Sequence, residues 1–472
     1  METTSSYTAR MANVTNDVAH CLRLTQRLYT DVVRYLVNIA NKNWEQIIKG
    51  DASDLKRRTR LERLVHRTKA NPEPEYADFD ETFKRYPALY RRSAQTTAIG
   101  IVSSYRSNLA NWETSGRKGA APRLPRSYKH QNVPLYAKGC YDLFEKPLTD
   151  EDKHLWTIHI RLFDGTSWEW FDVALKNKDV RYFQRHLQDM VRKCPTLVHK
   201  HGRWSLRFAF TCTRELCDTE KDKLKVCAVD LGVNAAATCS IMGMDGTVFE
   251  RRFVRFPDDE ARLCSALERI RQAQSSGARR LKRMWGKANR LNEELSRKTV
   301  LAIIRFATEH DAKVIVCEHL DMSGKIRGSR RMRLSVWRCR DILRRLEHRA
   351  HAARLRFATV CAWNTSRLAF DGSGYVERGD KISDEIVRAK LENKHGKVAY
   401  DLCLFKNGKI YNCDLNASYN IGARYFLRLL ERNLPKGTLE TITAECPQVV
   451  KRTQATLSTL WYAMARLEAV CV

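Results

Sequence analysis

The sequence lacks the features that mark zinc-ribbon, membrane-spanning and exported proteins. None of its 15 cysteines forms a CxxC pair, and an odd number of scattered cysteines is typical of a reducing compartment rather than of a disulfide framework. It contains no apolar run of about 18 residues, the length that a membrane-spanning helix needs. The first twenty residues hold no apolar signal core, so we expect a cytoplasmic protein.

Acidic residues are scarce relative to basic ones. Lys and Arg number 84 and Asp and Glu 54, which gives the 472-residue chain a formal net charge of +30 at pH 7. An excess this large predicts a polyanionic partner; nucleic acid is the first candidate and an acidic membrane surface the second. Hydrophobic residues make up 43% of the chain, enough for packed cores, so the composition excludes wholesale disorder.

The N-terminal half changes periodicity partway along. Apolar residues at helical spacing run through 14–112, with a break at Asn71-Pro72-Glu73-Pro74 and a second helical stretch from Pro87. A linker that is rich in Gly, Pro and basic residues follows at 116–129. Short alternating runs then predict strands of an antiparallel sheet or barrel up to about residue 212. Aromatic residues alternate with basic ones in this half, a mixture that suits either an ordinary domain surface or a platform for nucleic acid.

Three hydrophobic segments of the C-terminal half each carry one acid. Residues 225–240 begin as a buried strand containing Asp230, residues 313–320 form a strand ending at Glu318, and Asp414 follows a short strand at what looks like a helix N-terminus. A charge in a buried strand is costly unless it is paired or binds a metal. Carboxylates held on a sheet can bind Mg²⁺ or Mn²⁺. Each acid alone could instead cap a strand in solvent, but the three together, in this order, favour an RNase H-like fold.

Other elements fill the intervals between these acids. A hairpin is predicted to turn at Met244-Asp245-Gly246, and a charged helical stretch covers 258–310 with a break near Ser275-Ser276-Gly277. Residues 354–363 read as a further strand, and Asn416 and Asn420 lie one helical turn apart after Asp414.

The segments around the three acids resemble the split nuclease motifs of RuvC domains. VCAVDLGVNAAATCS, VIVCEHLDM and CDLNASYNIGARYF are similar to the motifs of transposon-encoded TnpB proteins and compact type V CRISPR effectors, over about residues 222–430 and in the same order. The element Thr365-Ser366-Arg367 also has its counterpart there. The resemblance implies an RNA-guided DNA endonuclease with Asp230, Glu318 and Asp414 as catalytic and metal-binding residues.

The resemblance also implies the cofactor, the partners and the location. The cofactor would be Mg²⁺ or Mn²⁺, and the partners would be a guide RNA and target DNA, without a membrane. A monomer is favoured, and the prokaryotic cytosol or nucleoid is the expected location.

The fold that the resemblance implies is a multidomain α+β architecture. A helical recognition lobe and a β-barrel wedge domain are followed by an RNase H-like (RuvC) α/β nuclease domain with a small insert. In chain order we expect a mainly helical lobe that leaves room for an N-terminal wedge strand, the wedge, RuvC motifs I and II with a lid, a target-nucleic-acid-binding insert, and RuvC motif III with C-terminal helices. The corresponding boundaries are 1–130, 131–221, 222–364, 365–408 and 409–472.

The insert departs from the pattern of the family. A zinc ribbon with two CxxC pairs usually lies between the second and third acids, whereas here Phe370-Asp371-Gly372-Ser373-Gly374 stands where the first pair would be. Near the second pair only Cys403 and Cys413 remain, ten residues apart. We therefore expect no zinc, and a hairpin that packing stabilises instead.

Several basic residues are candidates for nucleic-acid contact. The segment 325–356 holds twelve Lys and Arg against two acids, and the resemblance implies that its first part is a lid over the active site. The alternative is a solvated amphipathic helix, for which Leu334 and the apolar residues after it supply a stripe. The residues expected to contact nucleic acid are Arg327, Arg330, Arg331, Arg333, Arg338, Arg367, Lys282, Arg283, Arg117 and Lys118.

Two other classes of function stay open from the sequence. A nuclease-inactive, RNA-guided DNA-binding protein would share the layout, although the three intact acids argue against it. A DNA transposase of RNase H-like fold would need a reader of transposon ends, and no helix-turn-helix is evident in the N-terminal half. An unguided RNase H-type or Holliday-junction nuclease would leave the long basic N-terminal half without a role.

Overall fold

The computed structural model divides the chain into two units, an N-terminal unit of Glu2–Cys212 and a C-terminal unit of Thr213–Val472 with Met1. Among the described residues no helix is long and apolar enough to cross a membrane. The structure describes residues 1–50, 53–69, 71–117, 119–125, 130–146, 153–200, 202–218, 224–232, 235–320, 338–391 and 401–470.

The helices of the N-terminal unit follow the predicted break and restart. The first long helix begins after Thr15, whose hydroxyl accepts a hydrogen bond from the Val18 amide, and the last begins directly after Pro87. The two long helices pack on each other, and Tyr29 of the first donates or accepts a hydrogen bond with Ser93 of the last. The unit begins with strand β1 (Glu2–Arg10), followed by α1 (Asn16–Lys42), α2 (Trp44–Ile48), α3 (Asp54–Val65), α4 (Asp78–Thr82) and α5 (Ala88–Thr114).

The strands of the N-terminal unit form two antiparallel sheets. One has the order β1-β8-β7-β2 with β6 paired to β8, and the other has the order β3-β4-β5. The resemblance implies a β-barrel wedge. In the part of the chain that the structure describes, the two sheets are joined where β1 ends, by a bridge between Met11 and Leu175 and a backbone hydrogen bond of 2.8 Å from the Ala12 amide to the Ala174 carbonyl. The remaining elements are β2 (Val133–Pro134), β3 (Tyr141–Phe144), β4 (Thr157–Phe163), β5 (Trp168–Ala174), α6 (Asn177–His186), β6 (Val191–Arg192), β7 (Thr196–Lys200) and β8 (Arg203–Thr213).

The C-terminal unit is built on a five-stranded mixed sheet with the order β11-β10-β9-β12-β13. The strands β11, β10 and β9 are antiparallel neighbours, and β12 runs parallel to both β9 and β13. This sheet resembles that of RNase H-like folds. Its elements are β9 (Val226–Asp230), β10 (Ala237–Met242), β11 (Val248–Val254), α7 (Pro257–Ser275), α8 (Lys282–Glu309), β12 (Val314–His319), α9 (Cys339–Ala352) and β13 (Arg356–Cys361).

The rest of the C-terminal unit contains a small sheet and the C-terminal helices. The small sheet is antiparallel with the order β14-β15-β16. The elements are β14 (Glu377–Arg378), α10 (Glu385–Lys390), β15 (Leu402–Leu404), β16 (Ile410–Asn412), α11 (Cys413–Asn433), α12 (Lys436–Glu445) and α13 (Leu457–Val470).

The mixed sheet is covered on both faces, so alternate residues of each strand belong to two different hydrophobic cores. On one face Val229 and Cys317 belong to a core that includes Phe306 of α8 and Leu346 of α9. On the other face Ala228 and Val316 belong to a core formed with α11. Successive side chains of a strand point to opposite faces. The residues after Val229 and Cys317, which are Asp230 and Glu318, are therefore directed to the face that α11 covers.

Gly422 allows α11 to lie close to that face. A Cβ atom at this position would come within 2.9 Å of Met242 Sδ and 3.3 Å of Ala228 Cβ, closer than side chains normally approach. The helix that carries Asp414 in its first turn is thus held directly against the strand that carries Asp230.

The insert folds as a small sheet around aromatic residues. Phe370 lies edge-on to Phe405, Tyr411 and Tyr419, with ring centroids 5.6, 5.1 and 5.3 Å away. Cys403 and Cys413 are buried and their side chains interact with each other. Packing of this kind gives the hairpin an aromatic core.

Candidate active site

The strand register brings Asp230 and Glu318 side by side. In the parallel pair β9–β12, Val229 is opposite Cys317, and Asp230 and Glu318 are the next residues of each strand. Both are partly buried at the carboxyl ends of their strands. In open α/β sheets this edge is where ligands commonly bind.

Asp414 reaches the same place from α11. Asn412 caps the helix, and its Oδ1 accepts hydrogen bonds from the amides of Asp414 and Leu415, both at 3.0 Å. The cap fixes the first turn, so the direction of the Asp414 side chain is set by the helix. The structure thereby brings together the three acids predicted from the sequence: Asp230 interacts electrostatically with both Glu318 and Asp414.

Burial raises the pKa of all three acids of this carboxylate cluster, which consists of Asp230, Glu318 and Asp414. The pKa of Asp230 is raised well above the ordinary value, first by burial and then by the charges of Glu318 and Asp414. Burial also raises the pKa of Glu318 and of Asp414. In the protein alone, the cluster therefore holds more negative charge than its surroundings stabilise.

Positive charge near the cluster comes from arginines that sequence analysis did not single out. The guanidinium of Arg378, on β14, lowers the pKa of both Asp230 and Asp414, and Arg255 lowers that of Asp414. One Arg378 Nη donates to the carbonyl of Ser366, while its buried Nε has no hydrogen-bond partner among the described residues. A lone arginine in a chain with 84 Lys and Arg gives no sequence signal, so only the fold identifies Arg378.

Glu318 is oriented by Thr365. The hydroxyl of Thr365 donates a hydrogen bond to the carboxylate of Glu318 and lies 3.0 Å from the carbonyl of Ala362. This contact and the charge of Arg424 both lower the pKa of Glu318, against the larger effect of burial. The predicted Thr365-Ser366-Arg367 element thus contributes its threonine to the cluster.

Two asparagines of α11 hold the segment that carries Thr365. Asn416 accepts from the Phe370 amide and donates to the Leu368 carbonyl, both at 2.8 Å. Asn420 donates to the carbonyls of Thr365 and Leu368, both at 2.9 Å, and accepts from the Leu457 amide at 3.1 Å. Both asparagines are fully buried, and their amide groups satisfy backbone groups that water cannot reach.

Arg424 continues the same face of the helix one turn later. Its Nη1 donates to the carbonyls of Cys361 and Trp363 at 2.7 and 2.8 Å, and its Nε donates to Ala455 at 3.0 Å. Burial lowers the pKa of Arg424 to about 10, so the guanidinium stays charged at neutral pH. Asn416, Asn420 and Arg424 therefore form a buried polar stripe that ties the chain after β13 to α11.

The donor chemistry of the cluster fits a hard divalent cation. Three carboxylates and an excess of negative charge are what Mg²⁺ and Mn²⁺ prefer, and such an ion would relieve the repulsion that raises the pKa of Asp230. Across the described ranges, no group of three or more His, Cys, Asp or Glu side chains has the geometry of a metal site. The metal-binding role of Asp230, Glu318 and Asp414 stays a prediction.

The remaining candidates in the C-terminal unit lie at the surface or outside the described residues. Lys282 and Arg283 are exposed in the first turn of α8. Arg338 precedes α9 and pairs with Asp341, with 4.0 Å between Arg338 Nε and Asp341 Oδ2. Exposed Arg367 lies over the ring of Tyr375, 5.6 Å from its centroid. The candidates outside the described ranges are Arg327, Arg330, Arg331 and Arg333.

The linker candidates belong to the N-terminal unit. Arg117 is exposed, has a left-handed backbone conformation with φ of 57°, and lies over the Trp112 ring at 5.8 Å. Lys118 is outside the described residues. Nothing in the structure brings these residues to a ligand, so their role stays a prediction.

Comparison with known proteins gives distant similarities. The model of the Aq_aa04 family matches residues 5–164, about a third of the chain. No curated protein matches.

Several solved structures of nucleic-acid complexes resemble the chain. A Cas12f1–sgRNA–target DNA complex is 15% identical with a TM-score of 0.33, covering 89% of this chain and 98% of that one. An AacC2c1–sgRNA–extended non-target DNA complex is 9% identical with a TM-score of 0.40, covering 89% and 69%. A Cas12i1 R-loop complex after target DNA cleavage is 10% identical with a TM-score of 0.42, covering 83% and 65%. The chain is therefore similar in structure, at low identity, to several type V effectors, and similarity at this level does not assign it to a family.

Proposed function

We propose that the protein is an RNA-guided DNA endonuclease with one active site, the carboxylate cluster. The observation that carries the proposal is the convergence of Asp230, Glu318 and Asp414 at one edge of a sheet of RNase H-like order. The chain places them in the order and motif context of RuvC nucleases. The substrate would be a DNA strand selected by base pairing with a bound RNA.

The residues of the chain have separable roles in this reaction. Asp230, Glu318 and Asp414 would hold Mg²⁺, Thr365 orients Glu318, and Arg378 supplies positive charge beside the cluster. When bound in such a site, Mg²⁺ neutralises phosphate charge and activates water. The mechanism thus needs all three acids ionised, whereas burial alone favours their protonated forms.

The charge of the surface supports an RNA partner. Lys282 and Arg283 lie in the first turn of α8, and that turn contains no acidic residue. Positive side chains at a helix N-terminus interact unfavourably with the helix dipole. A bound phosphate backbone would offset this repulsion because its negative charge interacts favourably with both the side chains and the helix N-terminus. A structured guide RNA would likewise neutralise much of the net charge of +30.

The first test is to isolate the protein expressed from its native locus and to sequence the RNA that accompanies it. We expect one dominant RNA with a constant folded part and a variable guide part. Protein reconstituted with that RNA should cut a plasmid that carries the matching sequence next to a short flanking motif.

The outcomes separate the three functional classes. Guided binding without cleavage would establish the nuclease-inactive alternative. A random sample of cellular RNA would contradict RNA guidance and favour a transposase or an unguided nuclease, which strand-joining and nicking assays would then distinguish.

A second prediction concerns the hydrogen bond to Glu318. Thr365→Val keeps the shape of the side chain but removes the hydroxyl, so Glu318 loses the group that orients it. A hydrogen bond to a charged group is worth about 1.5–3 kcal/mol, which corresponds to a cleavage rate lowered about tenfold to a hundredfold. Single-turnover cleavage at saturating Mg²⁺ measures this change.

Thr365→Ser is the matched control because it retains the hydroxyl. Its rate should stay within a few-fold of that of the unaltered protein. If Thr365→Val cleaves as fast as Thr365→Ser, the hydroxyl has no role in orienting Glu318.

A further inference from the structure

Trp363 is an exposed tryptophan two residues before Thr365, whose hydroxyl contacts Glu318. Its side chain is 66% exposed, although large aromatic side chains normally bury most of their surface. It follows β13 and precedes Thr365 by two residues, so its Cα lies within about 7 Å of the Thr365 Cα. Among the described residues no other aromatic ring stacks on it.

The backbone that carries Trp363 is held firmly. Arg424 donates to its carbonyl at 2.8 Å, and the next residue, Asn364, has a left-handed conformation with φ of 63°. The carbonyl of Asn364 accepts from the amides of Arg367 and Leu368, both at 3.1 Å. The exposed ring is therefore attached to a fixed part of the chain and not to a loose loop.

A cationic cavity adjoins this segment. It has a volume of about 180 Å³, and its lining includes Cys361, two residues before Trp363, together with His319. Three arginines line it against one acid: Arg424, Arg428 and Arg452 against Glu431. The Arg452 side chain is 66% exposed, and its Nη2 lies 3.7 Å from Glu431 Oε2, so this pair is weak.

The cavity carries more positive charge than its protein surroundings balance. Burial and the like charges of Arg432 and Arg452 lower the pKa of Arg428, with only partial compensation from Glu431 and Tyr425. Arg428 Nη1 donates to the Thr359 carbonyl at 2.8 Å, which fixes the guanidinium at the cavity wall. An anion is the group that this cavity would accommodate.

We propose that Trp363 and the arginine-lined cavity form a binding site for one unpaired nucleotide of a single-stranded DNA. The ring stacks on the base and the arginines hold a phosphate, a combination that proteins use to bind single strands without sequence preference. The inference rests on the proposed function, because the site would present the strand to the carboxylate cluster. A base in a duplex is stacked on its neighbours and could not use the ring, so the site selects unpaired DNA.

The experiment measures binding apart from cleavage. The full chain, kept in EDTA so that it cannot cut, is titrated into labelled oligodeoxythymidine and into an abasic strand of equal length, with fluorescence anisotropy as the readout. Trp363→Ala should weaken binding of oligodeoxythymidine about tenfold, because stacking is worth 1–3 kcal/mol per base. It should leave the abasic strand unchanged, and Trp363→Phe should restore most of the affinity.

Two further variants complete the design. Trp461→Ala is the matched control, since Trp461 is also an exposed tryptophan of this unit, at 42%, and packs near Phe370 instead. Trp461→Ala should leave the affinity for both strands unchanged. Arg452→Ala should reduce the salt slope of binding by about 0.7 for both strands, as expected for one lost phosphate contact.

The binding measurements test the nucleotide site independently of whether the protein cleaves DNA. Equal weakening of both strands by Trp363→Ala, or no weakening of either, overturns the stacking assignment. Oligouridine is titrated in the same way. If Trp363→Ala weakens the binding of oligouridine but not of oligodeoxythymidine, the ring binds RNA and the DNA assignment is overturned. Base-dependent binding through Trp363 without any guided cleavage would keep the site and refute the proposed nuclease.

Discussion

Neutral replacement of any one carboxylate of the cluster should abolish DNA cleavage and leave RNA binding intact. In Asp230→Asn, Glu318→Gln and Asp414→Asn the shape is kept and one charge is removed. Charge stabilisation in such sites is worth several kcal/mol, and each 1.36 kcal/mol is a tenfold change in rate, so we expect a loss of about a thousandfold or more. Cleavage of a matching plasmid and the affinity for guide RNA are the two measurements.

The matched control is an acid of the same unit that lies away from the cluster. Asp311 is 76% exposed, pairs with Lys313, and has a φ of 57°, a conformation that asparagine also tolerates. Asp311→Asn should therefore cleave at the normal rate. If one of the three cluster variants still cleaves like Asp311→Asn, that residue is not catalytic.

The same variants test the metal without relying on cleavage. The pKa values of the three acids are raised in the folded protein, so the folded state binds more protons than the unfolded state. The cluster therefore lowers the stability of the metal-free protein as pH rises from the ordinary carboxyl range through these raised values. Mg²⁺ should raise the Tm of the unaltered protein at neutral pH, and this rise should shrink in Asp230→Asn.

The sequence contains enough information to locate the three acids but not their environment. Continuous runs of apolar residues identify the strands that carry Asp230 and Glu318, because those strands are buried on both faces and a single charge stands out in each. The start of the helix at Asp414 can also be predicted from the sequence, because Asn412 is a residue type that commonly caps helix N-termini. Local pattern is sufficient in these cases because the elements themselves position the side chains.

What the sequence does not contain is the set of long-range contacts around the acids. Arg378 reaches Asp230 from a two-residue strand of the insert, and nothing near it in sequence distinguishes it from other arginines. The separation of the N-terminal strands into two sheets likewise depends on pairing between distant segments. The spacing of Asn416 and Asn420, one helical turn apart, indicates a shared helix face from the sequence, whereas Arg424 and the backbone partners of these side chains are identified only by the structure.

Replacing Arg424 should make it easier for the chain after β13 to separate locally from α11. Arg424→Met keeps the length of the side chain but leaves the carbonyls of Cys361, Trp363 and Ala455 without their donor. A carbonyl that loses its donor costs about 1–3 kcal/mol, and only the Ala455 contact is fully buried, so we expect the free energy of local opening to fall by about 4 kcal/mol in total. Hydrogen exchange of peptides that cover 359–370 should then show protection lowered by about a thousandfold.

Arg428→Met separates this effect from a general loss of positive charge. Arg428 lies one turn further along α11, is only half-buried, and donates to one carbonyl, that of Thr359. Its replacement removes the same charge but should cost only about 1 kcal/mol. Equal loss of protection in the two variants would show that charge, and not the three carbonyl contacts, holds the segment. A loss of protection confined to Arg424→Met would show that the three carbonyl contacts hold the segment that carries Thr365 against α11.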